Sequence, residues 1–175
     1  MQERIKQTIE SYPLHDSLRG HFGFELYKQM AKDERIWIVT ADLGYGLFDL
    51  HKNDYPDRFL DVGAAEQVAM GVAIGLAETG KIPFIYSITT FLLYRPFELI
   101  RNYINHENIH VKIIGSGYGH DYSHDGFSHW PDDQEEILKA FPNILTHFPQ
   151  TKEEIPGLVE EVVSNQKPTY INLRR

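Results

Sequence analysis

The chain has 175 residues, a formal net charge of −8 and no cysteine. That length suits one domain with a sizeable core, the lack of cysteine excludes disulfides and thiolate chemistry, and an acidic chain without a basic stripe argues against a nucleic-acid partner. The opening MQERIKQTIESY lacks the apolar run of a secretory signal, and no stretch approaches the ~18 apolar residues of a membrane span, so a cytoplasmic location is the expectation.

Residues 1–16 read as an N-terminal extension to a single domain spanning 1–175. After them, short apolar runs alternate with helical patterns, which points to parallel strands joined by crossover helices. A helix is expected near 17–31 and a strand at IWIVT (36–40). ADLGYG (41–46) follows as a turn, in which Gly44 and Gly46 permit a tight loop. Asp42 there is either a helix cap or an interdomain contact. FLDV (59–62) is the next strand.

The helix near 65–79 holds the main anomaly. Ala65, Ala69, Gly71, Ala73, Gly75 and Ala77 leave it with little bulk on several faces. Such a helix is packed in a dense layer, docked on another subunit, or both. Glu66 stands at its head, where the helix dipole favours a negative charge. Its flanks are apolar, however, and an unpaired buried carboxylate is expensive. Glu66 therefore needs water, a partner or a ligand, and a carboxyl group in an apolar site can share a proton with a ligand nitrogen. Gly80 fits the stop of this helix.

PFIYS (83–87) is a strand, and TTFLLYRPFELIR (89–101) leads into a helix expected near 95–106. Phe91, Tyr94 and Phe97 cluster at spacings typical of core aromatics, but Phe91 precedes the expected helix and can offer its face to a flat heterocycle. After the strand VKIIGS (111–116) comes GSGYGHDYSHDGFSHW (115–130). Its His120, His124 and His129, with Asp121 and Asp125, fit no regular metal-ligand spacing, so no metal is assigned. GSGYG lacks the rest of a nucleotide-loop fingerprint and the helix that would follow it. The loop either offers histidines to a polar or anionic substrate or is simply solvated. A helix near 132–140, a strand at ILTHF (144–148), a helix near 151–165 opened by a Thr151–Glu154 capping box and a strand at YINL (170–173) complete the chain. The expected architecture is a three-layer α/β/α domain with a mainly parallel sheet of about six strands. The four candidate places lie at strand C-terminal ends, where open α/β sheets put their ligands.

Taken in order, ADLG (41–44), FLDVGAAEQ (59–67), TTFLLYRPFELIRN (89–102), SHDGFSHW (123–130) with AFPNI (140–144), and KPTYINLRR (167–175) resemble the pyrimidine-binding domain of transketolase-like thiamine diphosphate enzymes. The resemblance runs from about Arg19 to Arg174. It implies that Glu66 is catalytic, hydrogen-bonding the N1′ nitrogen of the cofactor's aminopyrimidine and favouring its imino form. It also implies that Phe91 stacks on that ring, that Tyr94 and Arg95 line the pocket beside it, and that Asp42 lies near the cofactor and a subunit interface. His129 matches the histidine of a DG-x-x-H turn facing donor substrate. His120 and His124 have a looser counterpart and are assigned to substrate binding.

By the same resemblance the chain is a stand-alone pyrimidine-binding subunit of a split transketolase-like transferase, moving a two-carbon ketol unit between sugar-type substrates. The family's Mg²⁺ and diphosphate motif is absent from this sequence, so Mg²⁺ and half of the thiamine diphosphate site are expected on a separate diphosphate-binding subunit. Self-association as a dimer or heterotetramer is expected from the small-residue helix. Ala64 stands where the family's GIAEQ box has isoleucine, and the loop is richer in histidine than the family pattern, which leaves substrate choice open. A 2-keto-acid decarboxylase or acyloin-forming subunit and a non-catalytic scaffold are the alternatives, the DG-x-x-H turn leaning against the former. In the leading reading Glu66 faces a ligand in an apolar crevice shared by two chains, and an internal salt bridge that leaves a ligand no space would argue against it.

Overall fold

A computed structural model describes residues 2–175; Met1, the first residue of the expected extension, lies outside the described residues. Six strands, β1 (Ile36–Thr40), β2 (Phe59–Asp61), β3 (Ile82–Ile88), β4 (Lys112–Ser116), β5 (Leu145–His147) and β6 (Thr169–Leu173), form one sheet in the order β2-β1-β3-β4-β6-β5. Every neighbouring pair is parallel. β4 and β6 are buried at every position, as central strands covered on both faces must be.

Strand side chains alternate between two cores. Ile36 and Ile38 of β1, Ile114 of β4 and Ile171 of β6 join Phe22 and Leu26 of α2 (Leu18–Met30) and Val159 and Val162 of α8 (Ile155–Ser164). On the other face, Val39, Ile85, Ile113 and Tyr170 meet Ala69, Ala73 and Ala77 of α4 (Glu66–Glu78) and Leu92 and Leu93 of α5 (Thr89–Tyr94). The expected three-layer architecture is therefore present, with a sheet that is parallel throughout. Among the described residues no helix is long and apolar enough to cross a membrane.

The small residues of α4 divide into two sets. Its alanines face the sheet, where short side chains let helix and strands approach closely. Gly71 and Gly75 face outward beside the exposed Val68, and a Cβ at either glycine meets no atom within 4 Å. The helix ends in a Schellman motif: Lys81 N–H donates to Leu76 O at 3.0 Å and Gly80 N–H to Ala77 O at 2.9 Å, with Gly80 at φ +80°.

Several elements depart from expectation. Part of the N-terminal extension is a helix, α1 (Gln2–Ser11), whose Ile5 enters the first core, and a short α3 (Asp49–Asp54) follows the β1 turn. The helix expected near 95–106 starts at Thr89, directly out of β3. Pro96, which has no N–H to donate, interrupts it, and the chain resumes as α6 (Phe97–Leu99) and a π-helical segment (Ile100–His106). Phe91 and Tyr94 thus lie on a helix and not ahead of one. The helix near 132–140 contracts to α7 (Gln134–Leu138). The Thr151–Glu154 capping box is present, Thr151 N–H donating to Glu154 Oε1 at 2.9 Å, and the first turn behind it is 3₁₀ before α8 begins.

At the far end of the sheet from the site, Lys112 is fully buried. Its ammonium donates to Asn165 O, Asn165 Oδ1 and Lys167 O at 3.0, 2.8 and 2.7 Å. Burial pushes its pKa down to about 8.

Candidate active site

The chain leaves β1 toward β2 at one edge of the sheet, and leaves β3 toward β4 in the other direction. The connections diverge at the C-terminal ends of β1 and β3, the kind of switch point that opens a crevice. Glu66 is the first residue of α4, so its position there is fixed by the β2–α4 turn and by the alanine face below it. Its side chain is only 3% exposed. Ser87, at the end of β3, donates its hydroxyl to Glu66 Oε1 at 3.3 Å, and Arg95 Nη1 donates to Glu66 Oε2 at 2.5 Å.

The carboxylate is therefore buried as the sequence implies, but it has a partner from its own chain. Arg95 sits just past α5, and its side chain is 45% exposed, so the pair is open on its solvent side. The guanidinium carbon lies 3.8 Å from the centroid of the Phe91 ring. A flat, cationic N–H donor thus lies over an aromatic face with one edge on a buried carboxylate. The guanidinium thus bridges Glu66 and Phe91.

His129 packs its ring against Phe91, with centroids 4.8 Å apart at 67°. The turn carrying it is tied to α5, because Thr90 Oγ1 donates to Ser128 O at 2.8 Å. Glu66, Phe91, Arg95 and His129 therefore form one contiguous group. Tyr94 points its hydroxyl into a hydrogen bond with Asp133, and burial together with that carboxylate raises its pKa. Asp42 is exposed after β1, with φ +49°, and accepts from the Tyr45 hydroxyl at 2.8 Å.

The other loop histidines separate. His120 stacks on Trp130 with centroids 4.3 Å apart, its Nε2 3.2 Å from Asp132 Oδ2. His124 is exposed, with only the neighbouring Asp125 at 3.3 Å. Among the described residues no three His, Asp or Glu side chains cluster as a metal site. The base of the loop is held by a buried network: Asn172 Nδ2 donates to Gly117 O at 2.9 Å and to Gln134 Oε1 at 3.1 Å, and Thr89 Oγ1 donates to Gly117 O at 2.8 Å.

On the α2 side of the sheet a cavity of about 370 Å³ opens, lined by His15, Arg19, Leu43, Tyr45, His51 and Tyr86 among others. Arg19 reaches Ser116 Oγ at 3.4 Å, while its Nε is buried without a hydrogen-bond partner. His51 is buried edge-on to Tyr27 and Phe48 with neither ring nitrogen paired, and burial pushes its pKa down to about 3. Sequence reasoning missed this cavity. Arg19 and Ser116 are 97 positions apart, and no local pattern joins them.

The family profile "Transketolase, pyrimidine binding domain" matches residues 17–175. A transketolase C-terminal section of Methanocaldococcus jannaschii is 30% identical over 93% of this chain and 52% of its own length. A 6-deoxy-6-sulfo-D-fructose transketolase subunit of Clostridium sp. (strain MSTE9) is 30% identical over 100% of this chain and 53% of its own. The chain spans about half the length of both relatives. Among solved structures, a split-gene transketolase described as an inactive β4 tetramer superposes with a TM-score of 0.81 at 30% identity, covering 91% of this chain and 52% of that one. Transketolase from Leishmania mexicana gives 0.79 at 20% identity over 95% of this chain and 27% of that one, a likeness of fold.

Proposed function

The chain belongs to the transketolase family through its pyrimidine-binding domain, and on that premise we propose that it is the pyrimidine-binding part of a split, thiamine diphosphate-dependent transferase that moves a two-carbon ketol unit between sugar-type substrates. The observation that carries this reading is the buried Glu66 carboxylate set beside the Phe91 ring, with the half-exposed Arg95 guanidinium between them. A buried carboxylate facing an aromatic plate suits an aminopyrimidine, which is flat and has nitrogen at its edge. When bound, thiamine diphosphate supplies the two-carbon transfer chemistry, and the protein binds, orients and tunes it. Glu66 holds a proton in a hydrogen bond with the ring nitrogen. Phe91 fixes the ring plane, and His129, packed on Phe91, presents an imidazole to the donor substrate.

Further features support the reading. Two relatives at 30% identity are a C-terminal section and a subunit, so the complementary half of such enzymes sits on another chain. On this proposal Mg²⁺ and the diphosphate are held by a partner subunit. The cavity beside β1 and β3 places the unpaired Nε of Arg19 in its wall, which suits a polar substrate with an anionic group. His120, held by Trp130 and Asp132, and the exposed His124 are the other histidines offered to substrate. The open glycine face of α4 suits a close helix contact with a second subunit.

The test pairs this chain with a chain from the same genome that carries the diphosphate-binding half. Thiamine diphosphate binding and ketol transfer are then measured for the pair and for Glu66→Gln. A positioned proton-transfer group is worth about 10²-fold or more in rate, so Glu66→Gln is expected to lose at least that while the pair still assembles. Full activity in Glu66→Gln would overturn the assignment, and a pair that binds no cofactor would overturn the function.

A further inference from the structure

Resting on the reading above, we propose that Arg95 is a resident stand-in for the aminopyrimidine: in the cofactor-free chain its guanidinium fills the ring's place between Glu66 and Phe91, and it has to swing out before the ring can enter. The guanidinium makes the two contacts such a ring needs. Its N–H edge meets Glu66 Oε2 at 2.5 Å, and its plane carbon lies 3.8 Å from the Phe91 centroid. That height is ordinary contact distance between stacked atoms, about 3.5–4.0 Å. A ring stacked on this face of Phe91 and a docked guanidinium would claim the same volume, so they exclude each other.

The burial of the two partners indicates which one moves. Glu66 is 3% exposed and locked at the head of α4, whereas the Arg95 side chain is 45% exposed. With Arg95 gone, the carboxylate keeps one hydrogen bond, from Ser87 at 3.3 Å. A buried charge with so little compensation is unfavourable, so the free chain needs an occupant. Arg95, for its part, loses little by leaving, since its head group can be hydrated at once on a long flexible stem. Its backbone lies between α5 and Pro96, at the break in the helical run. Docked Arg95 therefore occupies both the carboxylate edge and the Phe91 face that the ring would use.

The consequence is a loading penalty. A ligand that needs a minor state binds more weakly by the fraction of that state, so a slot filled about 90% of the time costs about tenfold in apparent affinity. The cofactor has to offer Glu66 at least the hydrogen bond that Arg95 gives up.

The experiment uses the chain assembled with its diphosphate-binding partner, Mg²⁺ and thiamine diphosphate. Calorimetry gives Kd and stopped-flow fluorescence gives the association rate for wild type, Arg95→Ala and Arg95→Lys. Arg95→Ala is expected to bind about tenfold tighter or faster, and Arg95→Lys, which keeps the charge but not the plane, to fall between it and wild type. Unchanged or weaker binding by Arg95→Ala overturns this inference and leaves the proposed function standing; weaker binding means that Arg95 holds the cofactor and not its place. No binding by any version, wild type included, overturns both. A measurement that needs no folded variant follows the arginine side-chain ¹⁵N–¹H signals of the wild-type complex. The docked guanidinium is expected as a slowly rotating, protected signal that becomes solvent-averaged as thiamine diphosphate is added. Cofactor binding by calorimetry with that signal unmoved overturns the exchange.

Discussion

Replacing Gly71 and Gly75 by alanine is expected to stabilise the free chain and weaken its assembly. Both glycines lie inside α4 on its outer face, and a Cβ built at either meets nothing within 4 Å. Glycine in a helix interior is about 0.8–1.0 kcal/mol worse than alanine, so the pair is worth about 2 kcal/mol. For a domain of 175 residues each kcal/mol moves the melting temperature by about 2–4 °C, giving about 4–8 °C for the double variant. In a close helix contact with a second subunit the same methyls overpack, at about 1–3 kcal/mol, a roughly 5- to 150-fold weaker association. Thermal unfolding of the lone chain gives the first number, and sedimentation or calorimetry with the partner subunit gives the second. Gly157, exposed on α8 in the opposite helical layer and equally free of neighbours, is the control: Gly157→Ala is expected to stabilise a little without touching assembly. A double variant that melts lower refutes the open face, and one that melts higher yet assembles as tightly as wild type refutes the interface.

Two pH dependences follow from buried groups. His51 has its folded pKa pushed down to about 3 from an ordinary 6.5, so the unfolded chain binds the proton first and stability is lost as pH falls from 6.5 toward 3. At ~1.4 kcal/mol per pKa unit the full window is on the order of 5 kcal/mol; urea unfolding at pH 7 and pH 4 checks it, and a His51→Phe variant that loses as much stability as wild type would show that other groups govern the acid limb. Lys112 has its folded pKa pushed down to about 8 from 10.5. Wild-type stability is thus expected to rise from pH 8 to pH 10, by roughly 2–3 kcal/mol on the same scale, before the buried tyrosines with raised pKa begin to oppose it. Lys112→Met is expected to lack that rise, and a parallel rise in the variant would assign it elsewhere.

The sheet was legible because each central strand is a short apolar run covered on both faces, as in β4 and β6. Glu66 was legible as an anomaly: a charge at the head of a small, apolar helix has to be satisfied by something. The structure supplied what that something is in the free chain, and no local pattern could have done so. Arg95 lies 29 residues from Glu66 and meets it only because α4 and the end of α5 converge on the same face of the sheet. The helix expected near 95–106 begins earlier, at Thr89, and Pro96, with no N–H to donate, breaks a helix already under way. α1 and α3 were missed as elements because their apolar positions are few and gain burial only through the first core, as Ile5 and Leu50 do. The three loop histidines looked like one cluster, yet His120, His124 and His129 separate because Trp130, solvent and Phe91 each take one.

Arg95 and the glycine face of α4 answer a single problem from two sides. On the proposed split-site reading, this chain carries a buried carboxylate whose ligand site is completed by another subunit. On the exchange proposed above, Arg95 pairs with Glu66 until a flat N–H donor takes its place. Gly71 and Gly75 follow Glu66 by five and nine residues along one helix, which at 1.5 Å per residue is about 7 and 14 Å. A subunit seated on those glycines would therefore sit within two to three helical turns of the carboxylate. Assembly would then position the remaining half of the pocket against a carboxylate already held in place by α4, with Arg95 the most exposed group of the set. On that proposal the fold fixes Glu66 and Phe91, and Arg95 is the member that has to leave.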